Sequence, residues 1–303
     1  MGREWLDYES SLFSYGIEVD LKDPSKYAFY LRQGGLGLPD RDYYLKSEFE
    51  KQKAGYQTYV TTLLKLVAWP EAEARAKDVV DFETKIAEAS WTKAEQRNLD
   101  AIYNPMTVDE LAKFAPGFNW KGFLGTVKMD NLTRVIIAEK SAFPKLTDIY
   151  SKAPLETIRA WHAFHIADNA APYLSQAFTA AYFHLHGKTL SGQKEQQARW
   201  KRAITTVSGG DFGVGDRFGT FGTMGFGVGQ LYSAKYFPAE AKAKIQTLVT
   251  NLMAAYRARF RNWIGWMTKP KSRPYRNSTP ILLRSVTRII RATIRSWWCE
   301  KMM

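Results

Sequence analysis

Residues 34–45 read Gly34-Gly35-Leu36-Gly37-Leu38-Pro39-Asp40-Arg41-Asp42-Tyr43-Tyr44-Leu45. Gly34, Gly35 and Gly37 permit positive φ or a close backbone approach, and Pro39 fixes one φ. Asp40 or Asp42 then offers a carboxylate that can cap a following helix. The stretch predicts a rigid elbow feeding a helix, and the rest of the chain is read outward from it.

Downstream, apolar residues recur at helical spacing from Tyr43 to Val67, with Tyr56, Tyr59, Val60, Leu63, Leu64 and Val67 on one broad face. This predicts one core-facing helix, stopped by Trp69-Pro70. Glu71 to Ser90 predicts a second, with Val79, Val80, Phe82 and Ile86 inward. Thr107, three residues before Glu110 and just after Pro105, has capping-box spacing, so a short helix should start there and break at Pro116-Gly117. Pro144 to Tyr150 predicts a further turn of helix. Pro154 to Leu185 is the longest helical pattern, interrupted near Pro172, with Leu155, Ile158, Trp161, Phe164 and Ile166 along one side. Gly187 and Gly192 are expected to bracket a polar loop; Ala198 to Val207 resumes helix, and Ala239 to Trp266 forms the last one. Upstream of the elbow, Ile17, Val19 and Leu21 alternate as in a short strand or extended arm, and Val135-Ile136-Ile137-Ala138 reads as a lone strand. Hairpin signals are nearly absent and no repeat of 20 to 50 residues is found. The expected fold is mostly α, a multi-helix lobe with few short strands and an irregular basic tail.

The chain has 303 residues, 45% of them hydrophobic and 14% aromatic, which argues for a packed globule. No apolar run is long enough to cross a bilayer, and Met1-Gly2-Arg3-Glu4-Trp5 does not open like a signal peptide, a cytosolic reading if taken literally. The single cysteine, Cys299, excludes an internal disulfide and a cysteine-built zinc site. Of the formal net charge of +13, residues 268–303 carry +8, so the basicity is largely a property of the tail. The body therefore gives no reason to expect a nucleic-acid partner.

The elbow closely resembles the Gly-Leu-Gly-Leu-Pro-x-Arg-Asp-Tyr-Tyr segment of the neprilysin and endothelin-converting-enzyme family of zinc metallopeptidases. Further stretches resemble bacterial members in the same order: Tyr15-Gly16-Ile17 with Asp20, Tyr103-Asn104-Pro105-Met106, Pro116-Gly117-Phe118-Asn119-Trp120, Trp161-His162-Ala163-Phe164, Ala170-Ala171-Pro172-Tyr173-Leu174, Arg199-Trp200-Lys201-Arg202, Val228-Gly229-Gln230-Leu231-Tyr232 and Tyr236-Phe237-Pro238. The resemblance spans Tyr15 to Met267 and implies the helical lobe that caps the family's catalytic lobe and restricts access to small peptides. It implies structural roles for Gly35, Leu36, Gly37, Leu38, Pro39, Arg41, Asp42, Tyr43, Tyr44, Arg199 and Trp200. It also implies peptide substrates, zinc in the full-length enzyme and an extracytoplasmic location. Peptide hydrolysis with zinc needs two histidines one helical turn apart with a glutamate between them, and no His-Glu-x-x-His occurs here. The expectation is a lobe over residues 1–267, incomplete at its start and lacking the catalytic partner lobe.

Two stretches depart from the family pattern. Asp211 to Thr223 is Gly-rich and reads as a surface insertion, since the orderly Gly-x-Gly-x-x-Gly of a dinucleotide loop is absent. After Met267, reading the last base of each codon with the first two of the next turns Met267-Thr268 into Asp and permits a family-like continuation. Residues 268–303 are thus expected to be out of frame. The competing reading makes Arg284, Arg288, Arg291 and Arg295 a helix face for nucleic acid or a membrane surface.

The remaining candidates receive structural readings. His162, His165, His184 and His186 are expected in packing or at the surface rather than on a metal. On Arg199-Trp200-Lys201-Arg202 the tryptophan should face inward and the three cations outward. Glu83, Glu88, Glu95 and Arg97 are expected to form surface ion pairs worth little each. Neither Cys299 nor Ser191 has the surroundings of a nucleophile. No catalytic or metal-ligating residue is assigned, and the chain alone is expected to be inactive. The alternative function is a non-catalytic helical module that binds peptides or a partner.

Overall fold

The computed structural model describes residues 12–208 and 224–263, which fall into two compact units, 12–197 and 198–208 with 224–263. The Gly-rich stretch 211–223 and the tail 268–303 lie outside the described residues.

The first unit opens with β1 (Phe13–Val19) and β2 (Tyr27–Gln33), paired antiparallel from Phe13↔Gln33 to Val19↔Tyr27. The Asp20 carboxylate closes the connection by accepting from the backbone N–H groups of Lys22 (2.9 Å) and Asp23 (3.2 Å). This is a hairpin, although hairpin signals are nearly absent from the sequence. Its turn is built by an Asp side chain rather than by the Asn-Gly pair that sequence patterns reward. β4 (Arg134–Ile137) is not a lone strand either. It runs parallel to β2 and antiparallel to β3 (Asn104–Thr107), giving a four-stranded sheet in the order β1-β2-β4-β3.

The elbow leads to α1 (Asp42–Leu45), a 3₁₀ turn at Ser47–Phe49, and α2 (Glu50–Leu66). The single helix expected over Tyr43 to Val67 is therefore broken at Lys46, whose φ/ψ of −97°/136° are extended. The break has a geometric cause. Tyr44 and Tyr56 both reach one carboxylate, that of Glu83. Twelve residues of unbroken helix would hold them about 18 Å apart along its axis. Val67 is exposed, while Tyr56, Tyr59, Val60, Leu63 and Leu64 are buried as their spacing predicts.

α3 (Ala72–Ala89) buries Val79, Val80, Phe82 and Ile86. α4 (Val108–Phe114) starts on the expected capping box: Thr107 Oγ1 accepts from Glu110 N, and Glu110 Oε2 accepts from Thr107 N. α5 (Trp120–Thr126) is capped by Asn119, whose Oδ1 accepts from Gly122 N. α6 (Phe143–Lys152) extends the turn expected at Pro144 to ten residues. Phe13 stacks on Phe143 at 4.7 Å and meets Trp120 at 4.8 Å, so the sheet's first strand is held to α5 and α6 through aromatic rings.

α7 (Leu155–Ala170) ends before a 3₁₀ turn at Ala171–Tyr173, the interruption expected near Pro172, and α8 (Gln176–Tyr182) follows. The buried side of α7 is Thr157, Ala160, Trp161, Phe164, His165 and Ala167; Leu155 and Ile166, expected on it, are exposed. A π-helix occupies Phe183–Leu190, so Gly187 sits inside a helix rather than at the edge of a loop. Its wide winding is held by Thr189 Oγ1 donating to His184 O (2.8 Å) and Ser191 Oγ to His186 O (2.6 Å).

The second unit consists of α9 (Arg199–Ser208), α10 (Gly225–Tyr236) and α11 (Ala239–Trp263). No described helix is long and apolar enough to cross a membrane.

Candidate functional site

The family-motif residues of the elbow converge with α2, α3 and α7 on Glu83, whose side chain is 0% exposed. Its Oε2 accepts from the hydroxyls of Tyr44 (2.6 Å) and Tyr56 (2.8 Å) and, at 3.4 Å, from Gly37 N. Oε1 accepts from Trp161 Nε1 (3.0 Å) and lies 2.8 Å from His165 Nε2. A carboxylate offers about four lone-pair sites and no donor in its ionised form, which suits this ring of donors. Burial pushes the Tyr44 and Tyr56 phenols well above their ordinary range, and the Glu83 charge adds to it, so both hydroxyls keep their protons for donation.

Several motif positions make contacts at or beside this arrangement. Leu38 N donates to Tyr44 Oη at 2.9 Å, so the tyrosine relays the elbow's backbone to Glu83. A Cβ on Gly37 would overlap the Tyr56 hydroxyl and lie 2.8 Å from its Cζ; glycine is what admits that ring. Gly35 has φ 86°, a conformation that favours glycine. Arg41 Nε donates to Ala87 O at 3.0 Å near the C-terminus of α3, complementing that helix end. Asp40 Oδ1 accepts from Asp42 N (2.9 Å), and Tyr43 stacks on Phe49 at 4.3 Å across the break.

A further carboxylate, that of Asp168, lies on α7 one turn beyond His165, its side chain 14% exposed. Asp168 Oδ1 accepts from Tyr59 Oη (2.6 Å) and faces His186 Nε2 at 3.0 Å. Burial alone would raise the Asp168 carboxyl; the bond and charge of His186, with the bond from Tyr59, outweigh it and hold the group below the ordinary aspartate value. His186 stacks on Tyr182, four residues earlier, at 4.2 Å. Burial lowers His162 to about 4, so it is neutral near pH 7.

The expectation of surface ion pairs fails at Glu83, and the reason is visible in the spacing. Val79, Glu83 and Ile86 are separated by four and three residues, so the acid sits within the apolar stripe of α3. Glu95 is exposed but caps Thr92, accepting from its N and Oγ1 (both 2.7 Å) rather than pairing with a cation. The tryptophan expected inward on α9 is also displaced. Trp200 is 62% exposed, whereas Arg202 is half-buried.

Among the described residues no three His, Cys, Asp or Glu side chains are grouped to hold a metal ion. His165 and His186 are each committed to a carboxylate. The donor set of this unit therefore does not fit zinc; it fits a buried polar framework that fixes the elbow against three helices.

The sequence profile of peptidase family M13, in its N-terminal portion, matches residues 3–273. The chain belongs to peptidase family M13. Its M13 relatives include an endothelin-converting enzyme homolog of Locusta migratoria, 26% identical over 274 residues, covering 84% of this chain and 35% of that protein. A neutral endopeptidase of Lactobacillus helveticus is 26% identical over 265 residues, covering 86% of this chain and 39% of that protein. Among solved structures, the zinc metalloprotease Zmp1 of Mycobacterium tuberculosis in its open state superposes with a TM-score of 0.72 at 28% identity, covering 84% of this chain and 38% of that one. The M13 chain thus spans about a third of the length of the curated relatives it matches.

Proposed function

We propose that this chain supplies the helical lobe of an M13 zinc endopeptidase, and that peptide hydrolysis belongs to a catalytic lobe outside these 303 residues. The observation that carries the reading is the pairing of a family match over residues 3–273 with a described donor set that does not fit zinc. The Glu83 and Asp168 frameworks then serve rigidity: they hold the elbow and α2, α3, α7 and the π-helix as one wall, against which a chamber for small peptides can be closed. We further propose that residues 268–303 are an out-of-frame continuation of the family sequence.

The test is zinc-dependent cleavage of a quenched peptide by the purified full chain, expected to be nil; turnover would overturn the reading. Peptide affinity without turnover would favour a stand-alone binding module. Sequencing the locus across codon 267 tests the frame, and an early stop in the restored frame would reject that part.

A further inference from the structure

Positive charge and exposed apolar surface are both concentrated in the smaller unit. Residues 1–197 hold 24 Lys or Arg against 26 Asp or Glu, whereas residues 198–208 and 224–263 hold nine Lys or Arg against one acid, Glu240. The same short unit carries thirteen of the twenty-four exposed large apolar side chains among the described residues. The two properties are interleaved on the same helices. On α9, Trp200, Ile204 and Val207 lie four and three residues apart and share one exposed face. At about 100° per residue, Arg199 and Lys201 fall on opposite sides of that face, and both are exposed. On α11, Ile245, Leu248, Leu252 and Tyr256 form an exposed stripe; Lys242 and Lys244 fall on its two sides, and Arg259 continues its line. Glu240, one turn before Lys244, is paired with it at 2.8 Å.

We propose that the second unit binds the surface of an anionic lipid bilayer, with the faces of α9 and α11 laid into the boundary between headgroups and acyl chains. The placement of charge selects this occupant. Cations on either side of an apolar stripe match a surface whose anionic headgroups lie just above its hydrocarbon: the long Lys and Arg side chains reach the headgroups while the stripe sinks between them. The exposed rings of Trp200, Tyr232, Tyr236 and Tyr256 suit that depth, since an aromatic ring with one polar atom favours the interface. A nucleic acid would meet the cations but leave the aliphatic stripes in water. The stripes run along one side of each helix rather than around it, which is the pattern of a helix resting in the interface and not of one spanning it. This binding rests on the second unit alone and is independent of where hydrolysis takes place.

The test is co-sedimentation of the full chain with two kinds of vesicle, phosphatidylcholine alone and phosphatidylcholine mixed three to one with phosphatidylserine. Wild type should bind the anionic vesicles about ten-fold or more tightly than the neutral ones, and added salt should weaken that binding. Trp200→Asp and Leu248→Asp should each weaken it about ten-fold, because each removes an inserted apolar side chain and sets a carboxylate against anionic headgroups. Leu99→Asp, at an exposed site of the first unit, should change it less than two-fold. Both test positions are already exposed, so the circular dichroism of the variants should match wild type. Absence of wild-type binding overturns the proposal. Binding that persists unchanged in both variants also overturns it and assigns the lipid contact to another basic stretch, such as residues 268–303. Polyglutamate that binds as tightly as the anionic vesicles, with the same loss in both variants, overturns it in favour of an acidic protein partner. A wild-type dimer that dissolves on Leu248→Asp, seen by sedimentation velocity, overturns it in favour of a second copy as the occupant.

Discussion

Replacing Glu83 with glutamine keeps the shape of the side chain and removes only its charge and half its accepting capacity. In the native arrangement Oε2 takes two tyrosine hydroxyls at 2.6 and 2.8 Å, and Oε1 takes Trp161 Nε1 at 3.0 Å beside His165 Nε2. The least damaging orientation of the amide turns its NH₂ toward His165, which can switch tautomer and accept. Trp161 Nε1 then loses its acceptor in a buried site, costing about 1–3 kcal/mol. The two tyrosine bonds fall from charge-assisted to neutral, roughly 1 kcal/mol each. Relief from burying a charge offsets part of this. The net expectation is a loss of about 3 kcal/mol, a large share of the 5–15 kcal/mol typical of a folded domain. Urea unfolding of the full chain followed by tryptophan fluorescence would read it directly, with exposed Glu88→Gln on the same helix as control at under about 0.5 kcal/mol. If Glu83→Gln unfolds within 0.5 kcal/mol of wild type, the buried carboxylate is not the tie between elbow and helices, and the account of the motif residues fails with it.

Gly37→Ala should cost about 2–4 kcal/mol by driving Tyr56 off Glu83, whereas Gly125→Ala, with open space at its Cβ and helical neighbours, should be neutral or stabilising by up to about 1 kcal/mol; both are read from denaturation midpoints. Thr107→Ala should remove about 1 kcal/mol with the capping box and leave the near-ultraviolet spectrum unchanged. His162 has a folded value of about 4 against an ordinary 6.5, so the unfolded chain binds more protons between those values and stability falls as pH drops through them; His162→Gln should flatten that part of the pH–stability curve. Asp168 is held below its ordinary 3.8, so its contribution is present above that pH and is lost on further acidification; Asp168→Asn should forfeit it at pH 7 and blunt the acid limb.

The helices were legible where local chemistry decides them. The Thr107–Glu110 box, the stop at Trp69-Pro70 and the stripe of α3 need only neighbours in sequence to be recognised. What escaped was set by distant partners. Lys46 is no helix breaker, and the break there follows from two tyrosines being drawn to one carboxylate on another helix. β4 looked solitary because its partner β2 lies a hundred residues upstream, and no periodicity within four residues carries that pairing. Glu83 could have been found, since an acid within an apolar stripe must be buried with partners or exposed at the expense of the stripe. The exposure of Trp200 could not, because a stripe shows that a helix has an apolar face without showing what lies against it.

The union of β2 and β4 also sets the order in which the molecule can assemble. Tyr30 and Leu31 meet Ile136 and Ile137, and Gln33 N donates to Glu139 Oε2 across 106 positions of chain. Closing a loop of that length is entropically costly before any of its contacts is gained, and topologies dominated by such pairings fold slowly. During synthesis the β1–β2 hairpin and the elbow leave the ribosome long before Glu83, Trp161, His165 and β4 exist to receive them. The N-terminal sixth of the chain must therefore wait with its aromatic rings uncovered, and that interval is where misassembly of this lobe would begin.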